Sequence, residues 1–244
     1  MMFNVIRFFQ KTTFSAAVVL LCVNTVQATS QNWDGTGNTV YWTNNVNWSS
    51  DTTYPSAGEI ATFNGGGNNR TNINISGLAR IKYITFDSYS IAAYYIGTEP
   101  VGSQSLVMEN DAEYKMNGNV TRSQLFNSHI VLGTDRNGGN YTLRNDTAAY
   151  TLTVLGDLLI PASGTTYAGK TLNVNGTGNV RLAGNMTTNG LVGLTITDNN
   201  SGTLFLTGTN RINLLNLRGT PSSVIDIGNG ELFLDNLGGN VINA

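Results

Sequence analysis

Six short apolar alternations follow one another along this chain at nearly even intervals. They are Leu106-Val107-Met108, Ile130-Val131-Leu132, Leu152-Thr153-Val154, Leu172-Asn173-Val174, Leu194-Thr195-Ile196 and Leu215-Asn216-Leu217. Asn, Gly, Asp or Thr comes soon after each, and often a second alternation follows. Period-two alternation between turn residues marks strands with one apolar face. When such a unit recurs at a period of about 22 residues, no copy buries its apolar face alone, and stability must come from stacking the copies. The pattern predicts an all-β fold: a right-handed single-stranded parallel β-helix, or β-solenoid, with coils of about 22 residues.

The units repeat one logic. Ser103 to Met116 reads as two strands around a turn at Glu109-Asn110-Asp111, with Leu106, Met108, Ala112, Tyr114 and Met116 on one side. Leu172-Asn173-Val174 passes through Asn175 to Asn179 into Val180-Arg181-Leu182, and Leu194-Thr195-Ile196 passes through Asp198 to Gly202 into Leu204-Phe205-Leu206. Ile60 to Phe63, Ile73-Asn74-Ile75 and Ile81 to Phe86 extend the strand-like pattern upstream. No stretch after Ala28 holds a helical period. Coils of ~22 residues predict about ten turns and a rod of roughly 45–50 Å.

The two ends differ from the middle. Arg7 and Lys11 precede an apolar run from Phe14 to Val26, and Val26-Gln27-Ala28 offers a small-x-small cleavage site. Residues 1–28 therefore read as a secretory signal peptide rather than a membrane anchor. Leu21 stands before Cys22 where a lipoprotein signal has a small residue, so lipidation is not expected. Residues 29–60 hold Trp33, Trp42 and Trp48 and read as an aromatic cap over the first coil. Residues 61–244 read as the β-helix repeats. No matching cap is evident at the C-terminal end, so the chain reads as naturally short or as a fragment of a longer array. The open last coil is then a pairing edge through which the chain could self-associate.

Composition narrows the partners. Charged residues are 11% of the chain, against about 25% in an average globular protein. Loss of Arg7 and Lys11 with the signal leaves 11 basic against 15 acidic residues. The densest basic group, Arg70, Arg80 and Lys82, lies within polar strand-like sequence, so nucleic-acid binding is not expected. The glycine runs lack the pattern of a phosphate-binding loop and any following helix, so no nucleotide is expected. The exported chain has no cysteine after Cys22 and relies on packing and backbone hydrogen bonds.

Residues that could carry chemistry are few. His129 is the only histidine and no G-x-S-x-G elbow accompanies it; it reads as a polar residue at a strand entry. One histidine and no cysteine leave no zinc site. Gly65 to Asn69 lacks the aspartate of a calcium-binding repeat, and Asp135 to Asn140 has one carboxylate; both read as turns. Asp157, Asp198, Asp226 and Asp235 are the late acids that a β-helical lyase or glycosidase would have to pair across coils, and they read as solvated surface carboxylates. Tyr41 with the three tryptophans could stack on a sugar, although crowding into one end favours a cap. No catalytic residue, metal ligand or cofactor is assigned, and no binding residue is singled out.

Trp33-Asp34-Gly35, Trp42 to Trp48 and Pro55 to Asn64, with the later Ser201-Gly202-Thr203-Leu204-Phe205-Leu206-Thr207-Gly208-Thr209-Asn210, resemble bacterial exported proteins with autotransporter-associated β-strand repeats. Asn229-Gly230-Glu231-Leu232-Phe233-Leu234 resembles a second, degenerate copy. The resemblance covers most of the chain after Ala28. It implies a passenger-like β-helix at the outer cell surface, here without a visible translocator barrel. The resulting expectation is a secreted structural or adhesive module, non-catalytic, with an unknown surface ligand such as a glycan. The alternatives are a β-helical polysaccharide lyase or glycosidase and a carbohydrate-binding module at the Trp-rich end.

Overall fold

The computed structural model describes residues 29–77, 80–134, 138–161, 169–187, 194–212, 214–217, 224–229, 231–234 and 242–243. The signal segment 1–28, Asp135 to Asn137 and Asp235 lie outside the described residues, as does most of the C-terminal end.

The alternation seen in the sequence folds into a parallel β-solenoid whose coils each run along three faces. The first face stacks Ile60–Phe63, the second halves of Arg80–Phe86 and Ser105–Met116, then Gly139–Asn145, Lys170–Gly176, Leu194–Asp198, Leu214–Leu217 and Ile242–Asn243. The second stacks Asn72–Ile73, Tyr95–Ile96, Gln124–Phe126, Thr151–Val154, Asn179–Leu182, Thr203–Leu206 and Val224–Asp226. The third begins with the first halves of Arg80–Phe86 and Ser105–Met116 and continues with His129–Leu132, Leu158–Leu159, Met186–Thr187, Thr209–Ile212 and Glu231–Leu234. Each of these strands pairs in parallel with the strand one coil away.

The first and third faces meet at a corner that the sequence marks as a turn. Ser105 to Met108 pair with His129 to Leu132, whereas Ala112 to Met116 pair with Tyr141 to Asn145. Between them Asp111 takes a φ of 58°, a left-handed conformation that short Asp and Asn side chains tolerate.

Coil length varies. Along the first face the chain returns to the same column from Ile196 to Leu215 in a short step, and from Tyr141 to Leu172 in a long one. The step from Ile60 to Tyr83 lies between these two. The seven strands of the second face make six steps, so the stack has about six turns rather than ten. The six alternations of the sequence also fall on different faces. Leu106 and Ile130 are neighbours on the third, but Leu152 is on the second and Leu172 on the first. Strand length is held by the ladder above and below, whereas surface turns absorb extra residues.

Inward positions line up into columns. On the second face Ile73, Ile96, Phe126, Val154, Leu182 and Leu206 stack in register and are buried. On the first, Ala61, Ile84, Tyr114, Leu143 and Val174 do the same, and Asp198 takes the next place in that column. Each buried aliphatic side chain contributes about 1.5–3 kcal/mol.

At the low-numbered end the core is aromatic. Trp33, Trp42 and Trp48 are all buried, with ring centroids 6.2, 5.8 and 5.9 Å from that of Phe63. Each indole N–H has an acceptor: Trp33 donates to Arg70 O, Trp42 to Pro55 O and Trp48 to Trp42 O. Ser30–Asn32 adds a parallel strand beside Ile60 to Thr62.

The turns between the second and third faces are stitched by side chains. His129 Nδ1 accepts from Asp157 N at 2.8 Å, Asp157 Oδ1 from Asn185 N at 2.7 Å, and Asn185 Oδ1 from Thr209 N at 2.9 Å. Beside this ladder runs a glycine column. A Cβ on Gly156, Gly184 or Gly208 would sit 2.2–2.3 Å from the carbonyl oxygen of Ser128, Gly156 or Gly184 in the coil before. Only a residue without a side chain lets the turns approach so closely.

Candidate functional site

Among the described residues, the concave places open to a ligand include the following three. The first lies at the Trp-rich end, a cleft of about 600 Å³ bordered by Asn32, Trp33, Asp34, Ser49 and the loop from Asn64 to Asn69. The loop, weighed from sequence as a calcium site, is a turn held by its own polar groups. Arg70 Nη1 donates to Gly35 O at 2.6 Å and Asn68 Nδ2 to Asp34 O at 3.0 Å. Asn68 and Asn69 both have positive φ. Among the described residues no three His, Cys, Asp or Glu side chains gather as a metal site requires. The indoles offer no stacking face, since all three are within 1% of complete burial; Tyr41 is exposed, outside their cluster.

The second place is a small cleft of about 190 Å³ at the corner of the first and third faces, lined by Arg80, Val107, Glu109, Asn110, Gly133 and Thr134. Glu109 Oε1 accepts from Gly58 N at 3.0 Å and lies 3.9 Å from Arg80 Nε. Behind it Tyr141 donates its hydroxyl to Asn110 Oδ1, and Lys170 Nζ, itself buried, donates to the same hydroxyl at 3.2 Å. These groups brace the bend at Asp111.

The third lies on the second face. A cleft of about 660 Å³ opens on the second face between Val40, Asn72, Tyr95, Gly97, Thr98, Glu99 and Asn127. Tyr95 and Ile96 alternate across their strand, so Ile96 is buried while Tyr95 stands half-buried on the outside. Its register partners are Asn72 below and Leu125 above. The floor is backbone already committed to the ladder: Tyr95 N donates to Thr71 O, Gly97 N to Ile73 O and Asn127 N to Ile96 O, each at 2.8 Å. Asn127 Nδ2 donates to Glu99 Oε1 at 3.2 Å. Asn127 Oδ1 has no hydrogen-bond partner, although the residue is only 3% exposed.

Residues singled out from sequence for catalysis are dispersed. Asp157 precedes the third face, Asp198 ends a strand of the first, Asp226 is exposed at the end of a second-face strand, and Asp235 lies outside the described residues. Asp198 is a correction to the surface reading: it is fully buried, because it continues the inward alternation of Leu194 and Ile196. Burial pushes its carboxyl up to about 6, against the opposing hydrogen bond from Asn200 N, and its Oδ2 has no partner. His129 opens its strand, as expected. Its Nδ1 is an acceptor for a backbone N–H, with Asp157 Oδ2 at 3.7 Å. The neighbouring Ser128 Oγ is buried with no hydrogen-bond partner, so the nucleophile-to-base contact of a serine triad is not made.

Sequence reasoning misses the second-face cleft. Glu99 and Asn127 are 28 residues apart, and only the register of the coils brings them together. The available signal is Tyr94-Tyr95: in an alternating strand one of two consecutive tyrosines must point outward. Chemically, the cleft presents one aromatic ring and one carboxylate, while Asn127 Oδ1 is buried and not presented to it. A single carboxylate does not supply the pair that glycoside hydrolysis requires. No known protein family, curated protein or solved structure matches this chain.

Proposed function

We propose that this chain is an exported, non-catalytic module of the outer cell surface, a rod with a structural or adhesive role. The reading is carried by what the turn residues do. His129, Asp157 and Asn185, which could have been chemistry, each hold a backbone N–H of the following coil. The polar inventory of these turns serves to keep a continuous rod in register. The resemblance to exported proteins with autotransporter-associated repeats supports the same reading, as does the signal-like sequence of residues 1–28.

A polysaccharide lyase or glycosidase is less well supported, since Asp157, Asp198 and Asp226 belong to different faces. Sugar binding through the tryptophans is disfavoured by their burial. Biotin labelling of intact cells that express the chain tests the address, and the expected outcome is labelling without lysis. Incubation of the purified protein with plant and algal polysaccharides tests the chemistry, and no release of reducing ends or unsaturated products is expected. Confinement to the cytoplasm, or reproducible turnover, would overturn the proposal.

A further inference from the structure

We infer that the peptide bond in front of Thr29 is a processing site whose cleavage competes with folding. The residues just after it, which a leader peptidase needs extended and unpaired, form the first strand of the solenoid. The leader is therefore removed from the unfolded chain, and a folded precursor keeps it. The inference rests on the reading of residues 1–28 as a secretory signal and adds the order in which processing and folding occur.

The ladder begins at the first residue past Val26-Gln27-Ala28. Thr29 O accepts from Ile60 N at 3.0 Å, and Ser30, Gln31 and Asn32 pair in parallel with Ile60, Ala61 and Thr62. The other edge of the strand is taken as well. Asn32 N donates to Ser49 Oγ at 3.1 Å, Ser49 N donates to Asn32 O at 2.9 Å, and Trp33 is bridged to Trp48. Side chains hold the strand in place. Gln31 is buried; its Nε2 donates to Thr53 Oγ1 at 2.8 Å and its Oε1 accepts from Ser50 Oγ at 2.7 Å. Thr29 and Ser30, both exposed, are all that separates the bond from this buried amide.

A peptidase that reads an extended segment pairs with its backbone, and here the strand edges are already engaged. A folded chain is cut only through the fraction in which the segment has opened, so the rate tracks that population. Release of Thr29 and Ser30 strips Ile60 N of its acceptor. Release as far as Gln31 also takes a buried amide from its two hydroxyl partners. A precursor that folds before processing stays tethered to residues 1–28. One processed first closes its aromatic end after Thr29 has become the N-terminus.

The full chain, incubated with a bacterial leader peptidase in phospholipid–detergent micelles, tests the inference. It is presented once folded and once freshly diluted from urea, and the cut fraction is read by intact mass before tryptophan fluorescence reports refolding. Cleavage between Ala28 and Thr29 is expected for the unfolded chain, and cleavage slower by about tenfold or more for the folded one. Two variants leave the sequence around the bond untouched. Ser50→Ala combined with Thr53→Ala removes both partners of the Gln31 amide, and Ile60→Pro removes the donor to Thr29 O. Each should raise the rate of the folded chain toward that of the unfolded one. Hydrogen exchange on peptides covering residues 80–116 shows that the solenoid beyond the first strand stays folded before a variant is scored. Equal rates for the folded and unfolded parent, or folded variants cut no faster than the parent, would overturn the competition while leaving the signal reading intact. An unfolded chain left uncut, or cut elsewhere, would overturn that reading instead.

Discussion

Replacing Asp198 with Asn should stabilise the coils around it at neutral pH and should cease to do so in acid. Asp198 occupies an inward place directly above Val174 in a column that is otherwise hydrophobic. Its Oδ1 accepts from Asn200 N at 3.1 Å, and its buried Oδ2 has no partner. Burial raises its carboxyl from the ordinary 3.8 to about 6. In the unfolded chain the proton is lost near 3.8, so between about pH 4 and 6 the folded state holds more protons than the unfolded one. Stability therefore falls as pH rises through that window and levels off above it. Two units correspond to about 3 kcal/mol at pH 7. Asn keeps the Oδ1 acceptor and carries no charge, but places an NH2 where Oδ2 stood, which costs about 1–3 kcal/mol if it stays unpaired. The net gain at pH 7.5 is then about 1 kcal/mol, turning to a loss of about 2 kcal/mol at pH 4. The difference between the two pH values, about 3 kcal/mol, does not depend on the cost of the NH2. A stacked array need not unfold in one step. The suitable assay is therefore hydrogen exchange followed by mass spectrometry on peptides covering residues 170–182 and 194–206. A variant-minus-parent difference in opening free energy that does not change between pH 4 and 7.5 would refute the argument, since it would mean that Asp198 is solvated.

The other predictions address stacking. Trp48→Ala removes an indole packed 4.8 Å from Trp42 and 5.2 Å from Trp33 and should cost about 3–5 kcal/mol, read as lost protection around Phe63 and Phe86 in the same exchange experiment. Gly184→Ala drives a Cβ to 2.2 Å from Gly156 O and should disrupt the coil; Gly65→Ala, with nothing within 4 Å, should leave the thermal midpoint unchanged. Asn185→Ala leaves the exposed Thr209 N without its side-chain acceptor and should cost about 0.5–1.5 kcal/mol by urea titration. Tyr114→Phe removes a buried hydroxyl that has no partner and should be neutral or stabilising by about 1 kcal/mol, which a loss of stability would contradict.

The fold is legible in the sequence because alternation is a local property. Leu106, Met108, Ala112, Tyr114 and Met116 declare their common side within one strand, and the Glu109-Asn110-Asp111 break declares the corner. Coil length is less legible. The face strands are fixed by their neighbours, whereas the turns differ, so that the first-face step from Ile196 to Leu215 is far shorter than the one from Tyr141 to Leu172. A regular spacing of apolar triplets thus counts strands from different faces as though they were successive coils. Asp198 misleads for a related reason: its position in the inward column is set by the alternation of Leu194 and Ile196, but its residue type suggests the surface. In an apolar column a single carboxylate is tolerable because neighbouring coils carry the rest of the stabilisation.

What a sequence of this kind hides is lateral chemistry. In a globular enzyme a loop gathers its polar residues in a few consecutive positions, and a motif can be read. In a solenoid the residues that face one another are a whole coil apart, and a one-residue error in coil length turns an outward side chain inward. His129 looks like an isolated strand-entry residue until Asp157, 28 positions later, is placed beside it. Glu99 and Asn127 look like turn polarity until the step between their coils joins them. The same stacking that hides such pairs also repeats them, because each outward position recurs once per coil at a nearly constant rise. Side chains along one column can differ while the ladder beneath keeps its register. Tyr95, Leu125, Thr153, Arg181 and Phe205 share one column, with Thr153 buried within it, varied in side chain while their backbones keep one register.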